Sequence, residues 1–157
     1  VIQIQNRQRR VRVPTARLRR VAEHVLLTLE ASERPASLVL VSDRAIQRLN
    51  REFRGLDQPT NVLAFAEAED SAPELFEPAL GDVVISVETA RREAAESAGV
   101  PVDAVPEAAL FDRLVWLAVH GLLHLVGYDH RDDAEEARME AKADLLLEGI
   151  RREFTRK

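Results

Sequence analysis

Three of the four histidines in this 157-residue chain fall within eleven positions, at His120, His124 and His130. Their spacing is that of a metal site begun on a helix. His120 and His124 are four residues apart, so on an α-helix they face the same way, about 6 Å apart along the axis. His130 would lie about 15 Å from His120 if the helix ran on. The chain must therefore turn back, and Gly127 stands where a left-handed residue would end the helix at little steric cost. Three histidines with one position left to water make a catalytic zinc arrangement, whereas structural zinc sites close the shell with four protein ligands. Such an ion lowers the pKa of bound water from 15.7 to roughly 7, or polarises a phosphoryl oxygen as a Lewis acid. Zinc, one ion per chain, is the expected cofactor.

Histidines at positions 0, 4 and 10 with glycine at 7 also match the extended zinc-protease signature H-E-x-x-H-x-x-G-x-x-H. Here, however, Gly121 stands where a protease carries its general-base glutamate. Met139, the only methionine, lies in a helical pattern past the motif and reads as core.

The run HGLLHLVGYDH at 120–130 resembles, at every fixed position, the H-G-x-L-H-L-x-G-Y-D-H signature of the bacterial YbeY family. That family comprises zinc-dependent single-strand endoribonucleases that mature ribosomal RNA. A second block, Leu49-Asn50 through Arg54-Gly55 and then DQPTNVLAF at 57–65, resembles another family hallmark, and Leu80-Gly81-Asp82 a third. The resemblance spans about residues 38–148. It implies His120, His124 and His130 as zinc ligands and Arg54 as the catalytic arginine. It also implies action on single-stranded and ribosomal RNA at the 3′ end of the small-subunit rRNA, a role in ribosome quality control, and the ribosome or its small subunit and the GTPase Era as partners.

Arg54 suits that role chemically, because a permanently charged guanidinium grips phosphate through two parallel hydrogen bonds. A surface arginine at a helix C-terminus is the simpler alternative. Asp129 and Asp132 flank the third histidine. Either can accept a hydrogen bond from a ligating imidazole or cap a helix, and Asp129 can also be a fourth ligand. Thr60 and Asn61 can touch substrate or close a turn. The nucleophile is either water activated by the ion or the neighbouring 2′-hydroxyl. Two other functions are compatible with these residues: a metalloprotease, which Gly121 opposes, and a non-catalytic ribosome-assembly factor whose zinc only stabilises the fold.

The elements needed to place these residues follow from pattern. Strands are expected at 1–6, 36–41, 62–65 and 81–87. Helices are expected from Pro14 to about Ala31, from Ser42 or Asp43 to Arg54, over 88–97, from about Pro106 into the histidine motif, and after Asp132. Met139, Leu145, Leu146 and Ile150 should form the packed side of the last helix. The histidine-bearing helix is apolar most of the way round and should be central. Residues 67–79 form an acidic, proline-containing loop. The result is an α+β single domain over 1–157: a mixed sheet of about four strands packed with about five helices.

Composition narrows the class. Hydrophobic residues make up 46% and charged residues 31%, as in globular proteins. Cysteine is absent, so histidine is the default ligand, consistent with a reducing, cytoplasmic setting. No leader is recognisable, and the longest apolar run is broken by Asp112, Arg113, His120 and His124. No membrane partner is expected. Net charge is −5, yet residues 1–20 carry seven arginines and no acid, leaving fifteen basic against twenty-seven acidic residues elsewhere. Such a run is either a solvated face or a phosphate-facing patch.

Overall fold

A computed structural model describes residues 1–67 and 79–154. In chain order the elements are β1 (Ile2–Asn6), α1 (Thr15–Thr28), β2 (Ala36–Val41), α2 (Asp43–Arg54), β3 (Val62–Ala66), β4 (Gly81–Ser86), α3 (Val87–Ala98), a short 3₁₀ turn (Val102–Ala104), α4 (Glu107–Leu125) and α5 (Asp133–Phe154). The strands form one mixed sheet in the order β1-β2-β4-β3. β1, β2 and β4 run parallel, and β3 is antiparallel at the edge. This is the expected α+β arrangement. The expected loop at 67–79 lies, apart from its ends, outside the described residues.

Both central strands are covered on both faces, which explains why ASLVLV and GDVVIS read as near-continuous apolar runs. Leu38, Leu40, Val83 and Ile85 point to the larger core, shared with α1, α4, α5 and the start of α3. Val39, Val41 and Val84 point the other way, toward Ile46 of α2. α4 lies within the larger core and is buried around most of its circumference. By length and composition it is the one helix among the described residues able to cross a membrane, but most of it is inside the fold.

Local chemistry sets the element ends. Ser42 caps α2, its hydroxyl accepting from Ala45 N at 3.3 Å, and Gly55 ends that helix at φ +71°. Gly81 has φ +128°, and a Cβ there would stand 2.0 Å from the carbonyl oxygen of Phe65, so β3 and β4 can close on each other only at a glycine. Two expectations are corrected. Helix α1 stops at Thr28, because the chain turns through Glu30 at φ +58°. Leu145 is 62% exposed, since Met139, Ala143, Leu146 and Ile150 make the buried stripe of α5 at spacings of four, three and four, and position 145 falls off it.

The start of α2 is tied to α3 through Asp43. Its carboxylate accepts from Ser86 Oγ and Thr89 Oγ1, each at 2.6 Å, and from Arg92 at 2.7 Å. Burial alone would raise its pKa, but these hydrogen bonds and the Arg92 charge outweigh it and hold the carboxyl below its ordinary value. A depressed carboxyl stabilises the fold above the unfolded-state pKa, and that contribution is lost as pH falls through the folded value. Asp43→Asn should therefore cost about 1–3 kcal/mol at pH 7. Thermal melts at pH 7 and pH 3 check this: the gap between variant and parent should shrink at the lower pH.

Candidate metal centre and groove

α4 ends as the sequence pattern requires. Gly127 N donates to His124 O at 3.1 Å and Tyr128 N to Leu123 O at 3.0 Å, with Gly127 at φ +106°. These paired bonds satisfy the last carbonyls and reverse the chain. His130 is thereby returned to His124, with ring centroids 5.1 Å apart at 68°. Among the described residues, donor atoms of His124, Asp129 and His130 all lie within 4.8 Å of one another.

His120 lies one turn back on α4, is 8% exposed, and is not part of that compact group. Its Nδ1 is 2.8 Å from the carbonyl oxygen of Trp116. A carbonyl only accepts, so Nδ1 carries the proton, and in the neutral ring the lone pair is then on Nε2. That Nε2 is buried without a hydrogen-bond partner among the described residues. Glu140 of α5 approaches it, with Oε1 3.8 Å away. A buried imidazole nitrogen one turn from a His/Asp/His cluster, with no hydrogen-bond partner among the described residues, suits a divalent cation.

The charge states agree. Burial chiefly, then His130 and more weakly His120, pull the pKa of His124 down against the opposing pull of Asp129 and a Tyr128 backbone bond. Metal donation requires the neutral imidazole that this favours. Asp129 Oδ1 accepts from His130 N at 2.8 Å and lies 3.8 Å from His130 Nδ1, while its Oδ2 is 3.2 Å from Arg131. Asp132 is engaged elsewhere, accepting from Glu135 N at 2.8 Å as the cap of α5.

A groove of about 600 Å³ opens over the cluster. His124, Tyr128, Asp129, His130 and Arg131 line it together with Arg54, Thr60, Asn61 and residues of the edge strand β3. Arg54 is the last residue of α2, exposed, and without an ion-pair partner among the described residues. The loop between it and β3 is fixed from beneath. Asn50 is 1% exposed and donates from Nδ2 to Gln58 O at 2.9 Å, and Ser86 N donates to Asn61 O at 2.9 Å. Asn61 also donates from Nδ2 to Glu93 at 3.1 Å.

Gly121 has a packing explanation. A Cβ there would stand 2.4 Å from Val83 Cγ1, so α4 rests directly on β4 and the position has no room for the glutamate of a protease. Gly121→Ala should destabilise the fold by about 1–3 kcal/mol through overpacking, read as a lower urea midpoint. It should confer no peptidase activity.

Arg131, Glu140 and Trp116 were not singled out from sequence. Arg131 could have been found, because it directly follows the third histidine. Glu140 carried no signal until α5 packed on α4. The arginine-rich residues 7–20 do not line this groove; Arg12, Arg17 and Arg20 border a separate cleft beside Phe111.

A family model described as "Endoribonuclease YbeY" matches residues 3–151. A curated relative of that name from Geobacter metallireducens is 44% identical over 154 residues, covering 97% of each chain. Another of that name, from Syntrophotalea carbinolica, is 40% identical over 156 residues and covers 98% of each. A solution structure of a Thermotoga maritima protein superposes with a TM-score of 0.65 at 25% identity, covering 99% of this chain and 92% of that one.

Proposed function

The chain belongs to the endoribonuclease YbeY family, and from that premise we propose that it cuts single-stranded RNA internally at a zinc site formed by His120, His124 and His130. The observation that carries this reading is the groove that brings Arg54, without an ion-pair partner among the described residues, together with His124, Asp129 and His130. When bound, the ion supplies Lewis acidity at a phosphoryl oxygen and acidifies coordinated water.

The protein's own groups do the rest. Arg54 holds a non-bridging phosphate oxygen and stabilises charge that grows there as the bond breaks. Asp129 braces His130 by accepting from its backbone N–H and lying beside Nδ1. Thr60 and Asn61 line the path of the strand. The product ends identify the nucleophile: a 2′,3′-cyclic phosphate means the 2′-hydroxyl, whereas a free 3′-hydroxyl with the phosphate left on the 5′ end of the other fragment means water.

Incubation with single-stranded RNA, double-stranded RNA and a peptide library, each with and without a chelator, tests the proposal. Internal cuts in the single strand should disappear with chelator and return with zinc. Cleavage of peptides but not RNA would establish the protease alternative. Intact RNA, together with zinc-dependent melting, would establish a structural ion. The family resemblance alone supports the finer assignments of maturation of the small-subunit rRNA 3′ end, ribosome quality control, and the ribosomal small subunit and Era as partners, while the absence of cysteine supports a cytoplasmic location. Co-purification with small subunits checks the partners.

A further inference from the structure

We propose that Glu93, Arg113 and Trp116 form one positioning support that fixes the His120 ring in the orientation a metal requires. The inference rests on the three-histidine site proposed above. The hydrogen bond from Nδ1 to Trp116 O sets the tautomer of His120. One bond does not fix a ring plane. The indole of Trp116 does that, stacking on the imidazole at 3.8 Å between centroids and 28° between planes.

The indole is itself held. Arg113 lies over it at 4.3 Å from the ring centroid. Residues 113, 116 and 120 fall at i, i+3 and i+7 on one stripe of α4, so guanidinium, indole and imidazole follow one another along the helix. Arg113 is anchored from α3, where Glu93 Oε1 meets its Nε at 3.1 Å. The pair is partly shielded, with side chains 25% and 30% exposed. Glu93 also receives the Asn61 amide. A buried candidate ligand and the wall of the groove thus share one chain of contacts.

A clamp serving only to join α3 to α4 would affect melting and nothing else. The test therefore reads metal affinity. Trp116 is the only tryptophan, so its emission reports on the His120 stack directly. Zinc is titrated into the metal-stripped parent, Arg113→Ala, Arg113→Lys and Glu93→Gln, with affinity from competition against a chromophoric chelator.

The parent's emission should change as zinc binds. Arg113→Ala should weaken zinc binding about tenfold, the lower end of the range for groups that orient a metal ligand. Arg113→Lys should stay within about threefold of the parent, because an ammonium keeps charge over the indole and near Glu93. Glu93→Gln should fall between the two, and it decides the matter if Arg113→Ala does not fold. Parental affinity and emission response in Arg113→Ala, or in Glu93→Gln where it stands in, would overturn the inference even if melting falls. A parent that binds no zinc would overturn the three-histidine site and this support with it.

Discussion

His124→Ala is expected to lose the bound ion and, with it, RNA cleavage, down to the level of the metal-stripped parent. His124 sits between the other two imidazoles along the chain, and it meets His130 directly. Its burial favours the neutral form that donates to a cation. Without it, the cluster keeps Asp129 and the exposed His130, with the buried Nε2 of His120 outside the compact group. The loss in turnover should be at least about 10³-fold, the scale seen when a group that stabilises transition-state charge is removed. Melting of the variant should match that of the metal-stripped parent within a few degrees. Elemental analysis and single-turnover cleavage of a labelled oligonucleotide make the comparison.

Arg54→Ala should leave the metal in place and still lower kcat by about 10²–10³-fold, equivalent to about 2.7–4 kcal/mol. Arg54 is exposed at the C-terminus of α2, where its effect on folding is limited to the helix dipole, about 0.3–1 kcal/mol. A large rate defect with little change in stability therefore identifies a cation acting on the substrate. Arg54→Lys should recover part of the rate, because a point charge remains but the two-pronged grip does not. Unchanged cleavage in Arg54→Ala would remove Arg54 from the chemistry.

The local half of this site is legible in sequence because its causes are local. Gly127 reverses the chain by a rule that spans six residues, and Ser42, Gly55 and Asp132 bound their helices by hydrogen bonds three to five residues long. The rest depends on packing between distant segments. Nothing in the string says that Gly121 meets Val83, that Asn61 bonds Glu93, or that Glu140 approaches His120. The strand order is equally hidden, because inserting β4 between β2 and β3 depends on which apolar faces find cover. Leu145 shows the same limit in miniature: its type suggests core, but which stripe of α5 is buried is set by α4.

Arg54 lies about seventy residues before His124 and His130 in sequence, and only the fold brings these three to one groove. That juxtaposition gives a family resemblance a physical mechanism. It also separates this chain from a protease with the same histidine spacing, since close packing of α4 on β4 leaves no room for a base after His120.

X-ray absorption at the zinc edge on the purified protein, paired with a crystal structure using anomalous scattering, tests the central claim most directly. The account predicts one ion ligated by nitrogens of His120, His124 and His130 at about 2.0–2.1 Å, with a solvent-filled position facing Arg54. An ion closed off by four protein ligands, with Asp129 as the fourth, or a His120 turned away from any ion, would contradict it.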